Sequence, residues 1–173
     1  MLHFTDKIFS KALLTSILLA SCSFQQPADE VMGVGSFFDD HVAVLEHLPC
    51  DAVGGYNAFD VNPTNFSCLA GQWGEVSMRL NHNGAGKTKD ITLFWRVYPE
   101  NSFFVDANDT VLPFFDFITQ RYAKGSESAM YDFLKENEAG RMKLNGLRFE
   151  HTVHLSEEQQ TMFDQHKLVI NTK

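Results

Sequence analysis

Asn83-Gly84-Ala85-Gly86-Lys87-Thr88 is the stretch of this sequence that comes nearest to a catalytic motif. A phosphate-cradling loop needs G-x-x-x-x-G-K-[ST] leading into a helix. Here Asn81 stands where the first glycine is required, and an alternating strand pattern follows instead of a helix. The segment is therefore expected to be a hairpin tip. His151 and His154 are ligand-type residues, but in a strand side chains three apart face opposite sides and cannot share one metal. Asp39, Asp40, His41, Glu46 and His47 cluster on an expected helix without an H-E-x-x-H, and His41 on the apolar stripe reads as a satisfied, partly buried histidine. Glu75, Asp90 and Asp116 could serve paired-carboxylate glycoside chemistry only if the fold brought them together. No G-x-S-x-G nucleophile elbow occurs. The lack of any complete motif implies a protein that is not an enzyme, with no catalytic residues, no metal and no cofactor.

The elements that would position any site are legible from periodicity. Val34, Phe38, His41, Leu45 and Leu48 keep helical spacing behind a possible Ser36 cap, Asp39 and Asp40 suit the first turn, and Pro49 ends the run. Cys50–Gly74 is rich in Gly, Asn and Asp and reads as a loop carrying Tyr56, Phe59 and Trp73, with Phe66–Trp73 a plausible strand. Val76, Met78 and Leu80 alternate with polar residues, as do Ile91, Leu93, Trp95 and Val97, giving an antiparallel hairpin with a long tip at 81–89. The second face of the latter strand holds Phe94, Arg96 and Tyr98. Either helices cover both faces of the sheet, or these three side chains line a shallow binding site. The aromatics of the 50–74 loop are a second candidate surface, or they plug the end of the core.

Further on, a helix is expected from about Asp109 with Pro113 in its first turn, then one from Ser126 to Gly140. A hairpin follows around Asn145-Gly146. Ser156 and Gln159 form a capping-box pattern for a short helix to His166, and Leu168-Val169-Ile170 is a final strand. The order α-β-β-β-α-α-β-β-α-β predicts a single α+β domain whose mainly antiparallel sheet is packed by helices on at least one face.

The first residues carry the address. Lys7 and Lys11 precede the apolar run Ala12–Ala20, which is too short for the roughly 20 residues a spanning helix needs. Leu19-Ala20-Ser21-Cys22 then resembles the lipobox of bacterial lipoproteins, in which the cysteine is lipidated and becomes the new N-terminus. Ordinary cleavage near Ala20–Ser23 is the other reading of the same small residues. The resemblance implies a signal peptide over 1–22, a lipidated Cys22, a tether over 23–32 and a globular domain over 33–173. It also implies the cell envelope, and because Ser23 rather than Asp follows the cysteine, the periplasmic side of the outer membrane in a two-membrane bacterium.

With Cys22 given to lipid, Cys50 and Cys68 remain as an even pair in an oxidising compartment and are expected to form a disulfide, two buried thiols being the alternative. Loss of Lys7, Lys11 and Asp6 with the signal takes the net charge from −8 to −9. That charge argues against nucleic acid and against a polybasic hold on lipid heads, and favours a basic protein partner. The leading expectation is a non-catalytic envelope lipoprotein that binds a protein or an envelope component, with an inhibitor or immunity protein as the narrower form. A small-molecule or saccharide binder using Phe94, Arg96 and Tyr98 is the first alternative, and a hydrolase with an unrecognised site the second.

Overall fold

The computed structural model describes residues 35–54, 65–83, 86–136 and 138–171. Helix α1 (Phe37–His47) starts where Ser36 Oγ accepts the Asp39 N–H at 3.0 Å, and Asp39 and Asp40 complement the dipole in its first turn. Leu48 turns extended ahead of Pro49 and ends the helix. Strands β1 (Ala52–Gly54), β2 (Asn65–Ala70), β3 (Val76–His82) and β4 (Thr88–Val97) follow as an antiparallel meander. A 3-10 helix (Val105–Val111) leads into α2 (Leu112–Tyr122) and then α3 (Glu127–Lys135). Strands β5 (Gly140–Leu144) and β6 (Leu147–His154) form a tight hairpin, and the single turn α4 (Ser156–Gln159) precedes β7 (Asp164–Asn171). The hairpin turns at Asn145 and Gly146, both with positive φ, as a primed two-residue turn requires.

The seven strands make one antiparallel sheet in the order β1-β2-β3-β4-β7-β6-β5. The α+β expectation holds. Strand alternation sends Phe66, Met78, Leu80, Ile91, Leu93 and Leu168 to one face, where they are fully buried with Val44, Phe114, Ile118, Met130 and Leu134 of the helices. Each such side chain contributes on the order of 1.5–3 kcal/mol by leaving water. Residues of opposite parity face away from that layer. Among the described residues no helix packs on this second face, so it is open over most of the sheet.

Several local expectations are corrected. The helix foreseen from Asp109 begins as a 3-10 turn at Val105 and becomes α-helical only at Leu112, so Pro113 lies in the first α-turn. The helix foreseen to Gly140 stops at Lys135, and Gly140 starts a strand, its missing Cβ leaving room for Phe133 Cε2, which would lie 2.9 Å away. Ser156 does not cap a helix reaching His166. Its N–H donates to Asp164 Oδ1 at 2.7 Å, Gln160 turns left-handed, and the last strand opens at Asp164.

Cys50 and Cys68 are bonded, with 5.2 Å between their Cα atoms. The bridge fastens the segment entering β1 to β2, the strand beside it. Cys22, the segment 23–32, Tyr56 and Phe59 lie outside the described residues.

Candidate functional site

The candidate site is built where β3, β4 and β7 meet on the open face. Register places Ser77 opposite Phe94 and Phe94 opposite Lys167, so one row of side chains crosses three strands. Phe94 is 39% exposed, and the Lys167 Nζ lies 5.5 Å from its ring centroid. Arg96, one step along the same face, has its guanidinium 4.7 Å from the Phe163 ring centroid and donates to the Trp73 carbonyl at 3.2 Å. A hollow of about 200 Å³ lies here, lined in part by Gly74, Glu75, Ser77, Phe94, Arg96 and Gln165. Glu75 is buried under the turn that carries Trp73 and accepts the Trp73 N–H at 3.0 Å.

Of the residues expected at a shallow site, Phe94 and Arg96 are thus together, and Trp73, exposed on the neighbouring turn, joins them. Tyr98 does not. It is buried, with the rings of Phe104 and Phe163 at 5.5 and 5.4 Å, and Asn108 satisfies both its backbone N–H and its carbonyl. The chain has left β4 by this point, and the aromatic contacts close that end of the open face.

The open face has a charge pattern that composition conceals. Arg79, Arg96, Arg141, Lys143, Arg148 and Lys167 all fall on it by strand parity, against Asp90 and Glu150 on the strands. The one ion pair on this face among the described residues joins Arg141 and Glu150 at 2.7 Å. The helix layer is the opposite: Asp39, Glu46, Asp116 and Asp132 are exposed there, with Arg121, Lys124 and Lys135 nearby. A chain of net charge −8 therefore has an acidic side and a basic side.

Two polar clusters lie on the helix-covered side. Asp40, fully buried, accepts from Arg121 at 2.8 Å, from Thr88 Oγ1 at 2.6 Å and from the Tyr122 hydroxyl at 3.2 Å. Burial, then the Asp40 carboxylate, raises the Tyr122 hydroxyl far above its ordinary value, so it stays a donor. The cluster ties α1, α2 and β4 together. Beside it, a groove of about 420 Å³ between α1 and α2 is lined by Ala43, Phe117 and Gln120 with His47 and Asp116. His47 Nδ1–H donates to the Ala43 carbonyl at 2.9 Å.

The second cluster is a buried histidine pair. His151 Nε2 and His166 Nδ1 are 3.1 Å apart, both rings stack on Trp95, and Phe115 and Phe133 close the surround edge-on. One ring donates and the other accepts, so the accepting nitrogen carries no proton. His151 Nδ1 and His166 Nε2 are buried without a hydrogen-bond partner. Burial lowers His151; burial first, and then His151, pushes His166 down to about 4 against an opposing pull from Asp164. His154 faces the other side of β6, as its spacing from His151 requires. His41 is buried, its Nδ1–H donating to the Phe38 carbonyl at 3.0 Å.

The sequence reading missed the Asp40 cluster, whose members are up to 82 residues apart, and the pairing of His151 with His166. It also missed five of the six cations, each of which occupies a polar position of an alternating strand. That signal becomes a surface only when the strand order is known. No group of three or more His, Cys, Asp or Glu residues able to hold a metal occurs among the described residues. Compared with protein-family models, curated proteins and solved structures, the chain finds no match.

Proposed function

We propose that this chain is a non-catalytic, lipid-anchored protein of the cell envelope that binds an envelope component or a protein partner through the open face of its sheet. The observation that carries the reading is the exposed Phe94 beside Arg96 and Trp73, at a hollow on a sheet face with no helical cover among the described residues. Aromatic and arginine side chains in such settings dominate binding energies. The anchor rests on the lipobox-like Leu19–Cys22.

A photo-crosslinking residue placed at position 94 of the full chain in its native cell tests the docking surface. A discrete adduct from position 94, absent from position 120 on the helix layer, is the expected outcome. Adducts from 120 alone would overturn it and favour a second reading, in which an inhibitor or immunity protein presents its acidic helix layer to a basic toxin or hydrolase. The exposed Asp39, Glu46, Asp116 and Asp132 support that alternative. For the anchor, Cys22→Ala should release the protein from membranes and abolish incorporation of labelled fatty acid. Unchanged attachment would remove the lipid from the proposal.

A further inference from the structure

We infer that the open sheet face binds an acidic oligosaccharide, a chain of sugar rings bearing carboxylate, phosphate or sulfate groups. The inference rests on the proposed use of that face and names the chemistry of its occupant. Six cations against three carboxylates (Asp90, Glu150 and the Glu75 that lines the hollow), with Arg141 and Glu150 paired, leave the face locally positive on a chain of net charge −8. The acidic helix layer repels the same ligand, so a polyanion is steered to one side only. A net-charge argument alone points to a basic partner; the distribution of the charge reverses it for this face.

The ligand is long. From Arg79 on β3 to Lys143 on β5 there are four strand intervals, roughly 19 Å at the usual strand spacing. The hollow at Phe94 is about 200 Å³, below the range of about 300–1,000 Å³ for pockets that enclose a whole drug-sized ligand. It suits one unit of a chain that runs on across the strands.

The ligand is also rich in hydroxyls. Between the cations stand neutral donors and acceptors, among them Ser77 and Gln165 at the hollow. Their groups match sugar hydroxyls, and the exposed Phe94 ring offers a flat apolar surface to the C–H face of a sugar. Other polyanions fit less well. A nucleic-acid platform stacks successive bases on several aromatic side chains, whereas Phe94 is the one Phe, Tyr or Trp on the open face of the described strands, with Trp73 on the adjoining turn. A protein interface has an apolar, charge-depleted centre, whereas here Lys167 stands beside Phe94 and the rest of the face is largely polar or charged.

Binding of the full chain, purified in detergent, to oligogalacturonate and to heparin oligosaccharide tests the inference by calorimetry. Maltoheptaose, poly-glutamate, single-stranded DNA and anionic phosphatidylglycerol vesicles serve as comparisons. At least one of the two acidic saccharides should bind about tenfold more tightly than any comparison probe, and its affinity should fall as salt rises. The triple variant Arg79→Gln/Lys143→Gln/Lys167→Gln should weaken it about tenfold, and so should Phe94→Ala, with urea midpoints unchanged. Equal binding of poly-glutamate, DNA or vesicles would reduce the effect to general polyanion attraction and overturn the inference. Equal binding of maltoheptaose, lost in Phe94→Ala, would overturn the acidic class while leaving the face as the binding surface. Binding to none of the probes, or binding indifferent to these substitutions, would overturn the inference outright. The docking surface itself is then decided by the adduct at position 94.

Discussion

Acid should destabilise this fold through the buried His151–His166 pair before most carboxylates titrate. The ordinary imidazole value is 6.5, and burial together with His151 pushes His166 down to about 4. Above pH 6.5 the ring is neutral in both folded and unfolded chains, so its burial imposes no pH dependence. Below 6.5 the unfolded chain takes up a proton that the folded chain refuses until the pH nears 4, and stability falls with pH over that window. At about 1.36 kcal/mol per unit, His166 alone removes about 2 kcal/mol by pH 5 and about 3 kcal/mol by pH 4. His151, also lowered, acts in the same direction. Urea unfolding of the wild type and of His166→Phe at pH 7.5 and pH 5.0 measures this directly, the Phe ring keeping the stack on Trp95 while removing the titration. The wild type should lose about 2 kcal/mol more than the variant between the two pH values. Equal losses, within about 0.5 kcal/mol, would show that the pair does not govern acid stability and would refute the reasoning.

Three further outcomes are expected. Asp40→Ala, which strands Arg121, Thr88 and Tyr122 without their acceptor, should cost about 3 kcal/mol in denaturant unfolding. Removing the Cys50–Cys68 bridge, as Cys50→Ala/Cys68→Ala or by reduction, releases a loop of sequence separation 18 and should lower stability by about 3 kcal/mol in the chain-entropy view. Gly140→Ala places a Cβ 2.9 Å from Phe133 Cε2 and should cost about 1–3 kcal/mol, relieved when Phe133 is replaced by Leu.

Local chemistry was readable where one short segment decided the outcome. Ser36, the two aspartates after it and Pro49 specify the ends of α1, and Asn145-Gly146 specifies its turn. The buried face of α1, though, runs through Phe37, His41 and Val44, while the expected Phe38 and Leu45 are exposed. Where two patterns competed, the longer-range one won. Ser156 and Gln159 spell a helix start, yet Asp164 takes the Ser156 N–H and the chain enters β7. The three residues of β1 carry no pattern of their own and owe their pairing to β2. The candidate site was half legible. Phe94 and Arg96 follow from alternation along one strand, but the same alternation adds Tyr98, and parity says nothing about Phe104 and Phe163 arriving from elsewhere. The basic face was illegible, since its cations come from five strands whose order no local rule supplies.

The strand order has a consequence for assembly. β1 to β4 form one hairpin series, β5 and β6 form another, and neither touches the other in the sheet. β7 lies between β4 and β6 and bonds to both. Until Asp164–Asn171 is available the chain holds two separate half-sheets, each with a long unpaired edge of the kind that invites aggregation. Closing that seam joins residues distant in sequence and is the step expected to set the pace of folding. During synthesis, the interval before β7 emerges is when the two unpaired edges are expected to be most exposed to aggregation.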